Sequence, residues 1–225
     1  MPPMLVPSIG PESWRLLLAD PEKHWARRYS ARTLAHCWES ADGFPVEVRQ
    51  VLSQHSSLDN AEALLIAPEW KVPLPGGARP SQNDVWVLAR TNEGLVSVAV
   101  EGKVSEPFDK TVGEWRADAS PGRDTRLAYL RDVLGLKDPI PDSVRYQLLH
   151  RTASAVIEAE RFCAKAAAMI VHSFSADDLW FDDFARFASL FGLGVEIGKL
   201  ASTTARGGMP LHIAWVRGDH RFLEA

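Results

Sequence analysis

The chain of 225 residues has only two cysteines, Cys37 and Cys163, and their separation matches no metal-binding or redox motif. The sequence shows no secretory signal, and no apolar run approaches the roughly 18 residues that a membrane-spanning helix requires. These absences argue against a disulfide-stapled secreted domain and against a membrane protein. We therefore expect a cytoplasmic protein with no membrane partner.

Several common catalytic motifs are also missing. There is no nucleophile elbow and no glycine-rich phosphate loop, and Gly76-Gly77 is typical of a turn. The seven histidines lack metal-ligand spacing, which indicates ordinary polar contacts. A net charge of −4 gives no general attraction to nucleic acid, so such a partner would need a local basic patch. Arg27, Arg28 and Arg32 form one small basic cluster, either a solvated helix face or a phosphate contact.

The composition is that of an ordinary globular protein, with 46% hydrophobic and 24% charged residues. A chain of this length suits one α/β domain with a substantial core. We predict a single domain over residues 1–225. It has a helical part over residues 1–60, a core over residues 61–174, and a helix and a strand over residues 175–225.

The hydrophobic periodicity predicts several elements in the second half of the chain. A long amphipathic helix is predicted from Asp142 to Phe162. The unbroken apolar run from Ala166 to Val171 favours a strand buried on both faces, as in a parallel crossover. Ser175 with Asp178 three residues later is typical of a helix start. Residues 192–208 are rich in loop-forming residues.

A predicted β-hairpin is the most informative stretch of the sequence. The runs from Asp84 to Arg90 and from Leu95 to Val104 are rich in β-branched residues and are separated by a short break. The Thr-Asn-Glu-Gly segment between them predicts a two-residue turn made of Asn92 and Glu93.

The hairpin register brings charged side chains together. With the two-residue turn, Asp84 lies opposite Glu101, and Lys103 shares the face of Glu101 because strand side chains alternate. Like charges on facing residues are destabilising. Two carboxylates placed in this way need a cation between them, either Lys103 or a metal ion. A change of one residue in the turn would move Asp84 to the other face.

With these residues in place, the sequence resembles the PD-(D/E)XK nuclease superfamily over roughly residues 61–173. Asp84 matches the single Asp of that superfamily, and Glu101-Gly-Lys103 matches its (D/E)-x-K motif. Tyr146-Gln147-Leu148 is similar to the Gln-and-Tyr motif of the branch related to RecB nucleases. The sequence departs from the pattern in having Asn83, and not proline, before the Asp. Its Val-Glu-Gly-Lys and Tyr-Gln-Leu-Leu-His-Arg segments also resemble an uncharacterised bacterial family, which brings no function with it.

The resemblance implies an α/β fold with a restriction-endonuclease-like core. That core would contain a helix, a mixed sheet that includes the β-hairpin, a crossover helix and a strand, with extra N-terminal and C-terminal helices. It also implies an endo- or exonuclease that hydrolyses phosphodiester bonds of nucleic acid with Mg²⁺ or Mn²⁺. Asp84, Glu101 and the carbonyl of Gly102 would hold the metal. Lys103 would orient or deprotonate water, or offset charge on the phosphorus.

Three further residues are supporting candidates. Gln147 and Arg151, one helical turn apart, would contact the substrate backbone or hold Lys103 in place. Glu69 belongs to a Glu-x-Lys segment that prolines follow at once. It is either a chance repeat of the motif or a third acidic ligand beside the hairpin.

Three alternatives stay open on the sequence alone. The protein could be a binding or scaffolding protein that kept the nuclease fold without catalysis. It could also be a metal-dependent hydrolase of a small phosphate ester. In a purely structural interpretation, Asp84 stands at the start of a strand, and Glu101 and Lys103 are an exposed pair that protects a sheet edge from aggregation.

Overall fold

The computed structural model describes residues 8–117 and 120–225, and in these ranges a six-stranded mixed sheet is flanked by helices. The strands are β1 (Glu62–Val72), β2 (Ser81–Thr91), β3 (Gly94–Lys103), β4 (Ala166–Ser173), β5 (Leu200–Thr204) and β6 (Pro210–Arg217). The helices are α1 (Glu12–Arg15), α2 (Pro21–His24), α3 (Ser30–Glu39), α4 (Val46–Leu52), α5 (Val112–Arg116), α6 (Pro121–Val133), α7 (Tyr146–Arg161) and α8 (Phe181–Ala188). The predicted α/β class is confirmed.

The strands are ordered β1-β2-β3-β4-β6-β5 across the sheet. The first three form an antiparallel meander, whereas β3, β4 and β6 run parallel and the short edge strand β5 is antiparallel to β6. The carboxyl ends of the three parallel strands therefore lie at the same end of the sheet. The start of β2 lies at that end too, because β2 is antiparallel to β3.

Two hydrophobic cores cover the two faces of the sheet. Helices α6, α7 and α8 pack on one face, and α3 and α4 pack on the other. Strand β4 lies in the middle, and all eight of its residues are buried, as its unbroken apolar run predicts. In the described ranges, no helix is both long enough and apolar enough to cross a bilayer.

The long helix begins later than its sequence pattern predicts. Helix α7 starts at Tyr146, not at Asp142, because the preceding residues are bonded to another segment. The Val144 carbonyl accepts from the Val112 backbone, and the Tyr146 backbone N–H donates to the Lys110 carbonyl. These bonds hold the chain extended up to the first residue of the helix.

Two other predictions in the C-terminal part are wrong. Ser175 does not begin a helix, because Asp178 adopts a left-handed conformation and forms an ion pair with Arg217; α8 begins only at Phe181. The supposed loop over residues 192–208 contains β5, a polar strand without a clear hydrophobic pattern. Its pairing with β6, and not its composition, makes it a strand.

An aromatic stack closes the α7 side of the sheet beside β2. The ring of Trp86 lies between those of Trp70 and Phe162, with centroids 5.2 Å away on each side. Its indole N–H donates to the Ser97 hydroxyl over 2.9 Å, and the side chain is fully buried. Because Trp86 is two residues from Asp84, this packing also fixes the part of β2 that carries the acidic side chain.

We expect Trp86→Ala to lower the free energy of unfolding by about 3–5 kcal/mol, because it removes a large buried side chain and leaves Ser97 without its donor. Urea denaturation measures the change. Leu16→Ala is the control, since Leu16 is 85% exposed and its loss should change stability by less than about 0.5 kcal/mol. Equal effects of the two substitutions would contradict this assignment of the core.

Candidate metal and catalytic site

The hairpin has the register that its two-residue turn predicts. Thr91 pairs with Gly94 and Val85 pairs with Val100, and the same register brings Asp84 level with Glu101. Both carboxylates lie on the α7 face of the sheet, where Arg151 contacts them.

Glu101 and Lys103 are buried in an interior strand. β3 lies between β2 and β4, and the side chains of Glu101 and Lys103 are only 2% and 4% exposed. The interpretation of these residues as an exposed pair on a sheet edge is therefore wrong. Burying charged groups is unfavourable unless they are paired, so their presence in the sheet interior requires partners.

Each oxygen of the Glu101 carboxylate has a cationic partner. The Lys103 ammonium lies 2.6 Å from Oε1, and the Arg151 Nε donates to Oε2 over the same distance. The Lys103 ammonium also lies 4.8 Å from the ring centroid of Phe108, a cation–π contact. Glu101 is thus held between a strand cation and a cation from helix α7.

Asp84 is held less tightly than Glu101. Its Oδ2 accepts the Gly102 backbone N–H over 2.8 Å, and its Oδ1 lies 3.9 Å from Nη2 of Arg151. Its side chain is 19% exposed, so the site reaches solvent on the Asp84 side. A Cβ on Gly102 would lie 3.2 Å from Leu34 Cδ2, so the glycine allows α3 to pack close against this part of β3.

Glu69 supplies a third carboxylate on the adjacent strand. Pro68 pairs with Val85 and Trp70 pairs with Asn83, which places Glu69 opposite Asp84. Glu69 has a left-handed φ of 52°, an unusual conformation for a residue with a side chain. Gln82 donates to its carboxylate over 2.5 Å. Three neighbouring strands therefore present Glu69, Asp84 and Glu101 in a row.

The protein matches a known family over nearly its whole length. The match covers residues 7–220, and the family is described as a domain of unknown function, DUF6946. The chain belongs to the DUF6946 family. No curated protein and no solved structure matches it. The geometry of this DUF6946 chain must therefore carry any argument about its chemistry.

The three carboxylates of this DUF6946 site differ in their protonation. Burial would raise the pKa of Glu101, but Lys103 and Arg151 hold it below its ordinary value. Burial, and then the charge of Glu101, raise the pKa of Asp84 to about 7. Burial, and then the charge of Asp84, raise the pKa of Glu69 to about 8. Near neutral pH the outer part of the site therefore retains protons that a bound cation would displace.

The donor set fits a hard divalent cation. Mg²⁺ prefers oxygen ligands and keeps several waters, so one or two carboxylates are sufficient protein ligands. Asp84 and Glu101 provide such oxygens, with Glu69 beside them. Gly102 contributes its N–H to Asp84, and its carbonyl remains a predicted ligand.

The supporting residues on helix α7 divide into two groups. Arg151 lies in the centre of the site, whereas Gln147 accepts from the Asp109 backbone in the segment after β3. Two residues that the sequence did not single out lie beside Arg151. The Ser81 hydroxyl is 2.8 Å from Nδ1 of His150 and 3.5 Å from Nη1 of Arg151. Ser81 directly precedes the hairpin, and His150 lies between Gln147 and Arg151. Their closeness in sequence to these candidates is the only signal that could have predicted them as site residues.

The basic cluster near the N-terminus is partly neutralised within the chain. Arg28 forms an ion pair with Glu224, and Arg32 lies 3.9 Å from Glu12 and over the ring of Trp25. These contacts reduce the charge that the cluster can offer to a phosphate.

A second group of potential metal ligands lies on the opposite face of the sheet. Atoms of Cys37, Glu47 and His172 lie within 4.8 Å of one another. Trp38 donates to Nδ1 of His172, so Nε2 carries the proton and donates to Glu47 over 3.0 Å. Burial, and then Glu47, raise the pKa of the Cys37 thiol, whereas a metal needs the thiolate and an unprotonated ring nitrogen. Hydrogen bonds among these side chains therefore account for their closeness without a metal ion.

A cleft of about 380 Å³ lies beside α5 and α6. Its lining combines arginines with aspartates and small residues: Gly113, Arg116, Ala117, Ser120, Arg123, Asp124 and Asp142. Asp84, Glu101 and Lys103 do not line it. The carboxylate site instead reaches solvent at the end of the strands, where the Asp84 side chain is partly exposed.

The raised pKa of Asp84 has a consequence for stability. A carboxyl group whose pKa is higher in the folded than in the unfolded protein stabilises the fold while it is protonated. That contribution is complete below about pH 4 and is lost as the pH rises through about 7.

We therefore expect wild type to lose stability relative to Asp84→Asn, by about 1–3 kcal/mol, between pH 5 and pH 9. The asparagine has no proton to lose, so the comparison reports the titration of Asp84 together with its effect on the neighbouring Glu69. Urea denaturation at several pH values measures the difference. Asp177→Asn, at an exposed position, is the control and should follow wild type at every pH. A difference between wild type and Asp84→Asn that does not change with pH would contradict the raised pKa.

Proposed function

We propose that this protein is a divalent-metal-dependent phosphodiesterase that acts on nucleic acid, with a restriction-endonuclease-like core. The observation that carries the proposal is the row of Glu69, Asp84 and Glu101 across three neighbouring strands, with Lys103 among them. This arrangement combines oxygen ligands for a hard cation with a buried ammonium group at the same end of the strands.

The order of elements supports this core. The superfamily resemblance implies a helix, a strand, an Asp-bearing strand, a Glu-x-Lys strand, a helix and a strand. The chain has α4, β1, β2, β3, α7 and β4 in that order, with α5 and α6 inserted before α7. The connection from β3 through α7 to the parallel strand β4 is a crossover of the expected kind.

The residues of the site have separable roles in phosphodiester hydrolysis. Asp84 and Glu101 would hold Mg²⁺ or Mn²⁺, which supplies a more acidic water and a positive charge beside the scissile phosphate. Lys103 is fixed by Glu101 and the Phe108 ring, so its remaining N–H donors are directed without a large entropic cost. It would orient the attacking water or offset charge that develops on the phosphate oxygens.

A second candidate function is hydrolysis of a small phosphate ester. The low exposure of the site favours it, because Glu101, Lys103 and Arg151 are 10% exposed or less and only Asp84 and Glu69 adjoin solvent.

A substrate panel tests both functions. Single- and double-stranded DNA and RNA and the small diester bis(p-nitrophenyl) phosphate are incubated with Mg²⁺, Mn²⁺ or EDTA. Cleavage of a nucleic acid that EDTA abolishes supports the proposal. Turnover of the small diester alone favours the second function. No turnover of any substrate, together with no metal binding, indicates a binding or scaffolding protein.

We expect Asp84→Asn and Lys103→Ala to separate metal binding from turnover. The asparagine should weaken Mn²⁺ binding, because a neutral amide is a poorer ligand for a hard cation. The alanine should bind Mn²⁺ as well as wild type or better, since it removes a competing charge, yet lower turnover about 10²-fold or more. Titration calorimetry and the cleavage assay measure the two effects, and circular dichroism checks folding.

Cys37→Ser is the matched control for the metal site. It removes one potential ligand of the group on the other face of the sheet, and Mn²⁺ affinity should not change. Equal Mn²⁺ affinity in wild type and Asp84→Asn would exclude Asp84 as a ligand. Loss of binding in Cys37→Ser would move the metal to the opposite face.

A further inference from the structure

The Arg151 guanidinium lies between the carboxylates of Glu101 and Asp84, where a shared cation would bind. Its Nε lies 2.6 Å from Oε2 of Glu101, and its Nη2 lies 3.9 Å from Oδ1 of Asp84. A divalent ion bridging Asp84 and Glu101 would lie between the same two carboxylates. Two positive groups cannot both occupy this small buried space without strong repulsion.

Three of the four carboxylate oxygens of Asp84 and Glu101 already have close partners. Lys103 takes Oε1 of Glu101, Arg151 takes Oε2, and the Gly102 backbone N–H takes Oδ2 of Asp84. Of these partners, the Gly102 N–H is fixed in the strand and Lys103 is held in addition by the Phe108 ring. Arg151 is the partner that comes from another element, helix α7, and has a long side chain with several rotatable bonds.

Resting on the proposed metal-dependent function, we infer that Arg151 is an exchangeable internal counter-ion of the metal site. It neutralises Glu101 when no ion is bound, and it moves off Oε2 when a divalent cation binds. The released guanidinium then becomes a donor for the substrate phosphate, whose geometry it matches with two parallel N–H groups. Arg151 thus couples metal binding to substrate binding.

The surroundings of Arg151 provide a place for the released group. Its Nη1 already lies 3.5 Å from the Ser81 hydroxyl at the start of β2. The next residue, Gln82, donates to the carboxylate of Glu69. The Asp84 and Glu69 side is also where the site reaches solvent, and a substrate phosphate would approach from there. A short movement away from Glu101 therefore keeps the guanidinium near carboxylates and brings it toward the substrate.

The test compares Mn²⁺ binding and thermal stability in wild type, Arg151→Gln and Arg161→Gln. Arg161 is the matched control because it lies on the same helix, carries the same charge and is 60% exposed. We expect Arg151→Gln to bind Mn²⁺ about tenfold or more tightly than wild type, because a competing charge is gone. Arg161→Gln should bind Mn²⁺ like wild type.

Thermal unfolding distinguishes exchange from a purely structural role. Without metal, Arg151→Gln should melt below wild type, because Glu101 loses one partner. Saturating Mn²⁺ should raise its melting temperature by more than it raises that of wild type, because the ion replaces the missing charge. A deficit that is the same with and without Mn²⁺ would show a structural role only and overturn the inference.

The remaining outcomes are also decisive. If wild type binds Mn²⁺ and Arg151→Gln binds it equally well or more weakly, the inference fails while the metal site stands. If neither protein binds Mn²⁺, the metal site fails and the inference fails with it. If Arg151→Gln does not fold, the Nε–H signal of Arg151 in wild type is followed by NMR during Mg²⁺ titration. A shift in that signal supports its release from Glu101, and an unchanged signal overturns it.

Discussion

The carboxylate of Glu101, buried in the middle of a sheet, is the constraint on which the site depends. A charge in that position is tolerated because Lys103 and Arg151 each bind one of its oxygens at 2.6 Å. Lys103 comes from the same strand and Arg151 from helix α7, so the pairing also ties the helix to the sheet. The position of α7 over β3 is therefore set by electrostatics as well as by its apolar face.

The same constraint organises the outer part of the site. Because Glu101 takes both cations, Asp84 and Glu69 are left with weaker partners. Burial, and then the charge of Glu101, raise the pKa of Asp84, and burial, and then the charge of Asp84, raise the pKa of Glu69. Neighbouring carboxylates with too little positive charge are costly in the protein alone, and a divalent cation beside Asp84 and Glu101 would offset that cost. Glu69 also adopts a left-handed conformation, which persists only because the surrounding structure holds it.

The hairpin part of the site was predictable and the rest was not, for a physical reason. A two-residue turn fixes the register of Asp84 against Glu101, so sequence spacing alone sets that pair. Glu69 lies across an eight-residue connection between β1 and β2, from residue 73 to residue 80, whose length does not fix a register. Helix periodicity predicts Gln147 and Arg151 on the same side of the helix, but Gln147 is bonded to the Asp109 backbone in the segment after β3, and only Arg151 contacts the carboxylates. The start of α7 depends on hydrogen bonds to the distant segment around Lys110 and Val112, which no local pattern encodes. The polar strand β5 is specified by its pairing with β6 and not by a hydrophobic pattern of its own.

The most direct test of this account is a crystal structure grown with Mn²⁺, with the ion located by its anomalous scattering. If Asp84 and Glu101 hold the metal, an ion lies within about 2.0–2.5 Å of their carboxylate oxygens, the range for hard cations and oxygen ligands. An ion bound at Cys37, Glu47 and His172, or no ion at saturating Mn²⁺, would contradict it. In that case the buried charges would be a structural ion-pair network and not a catalytic centre.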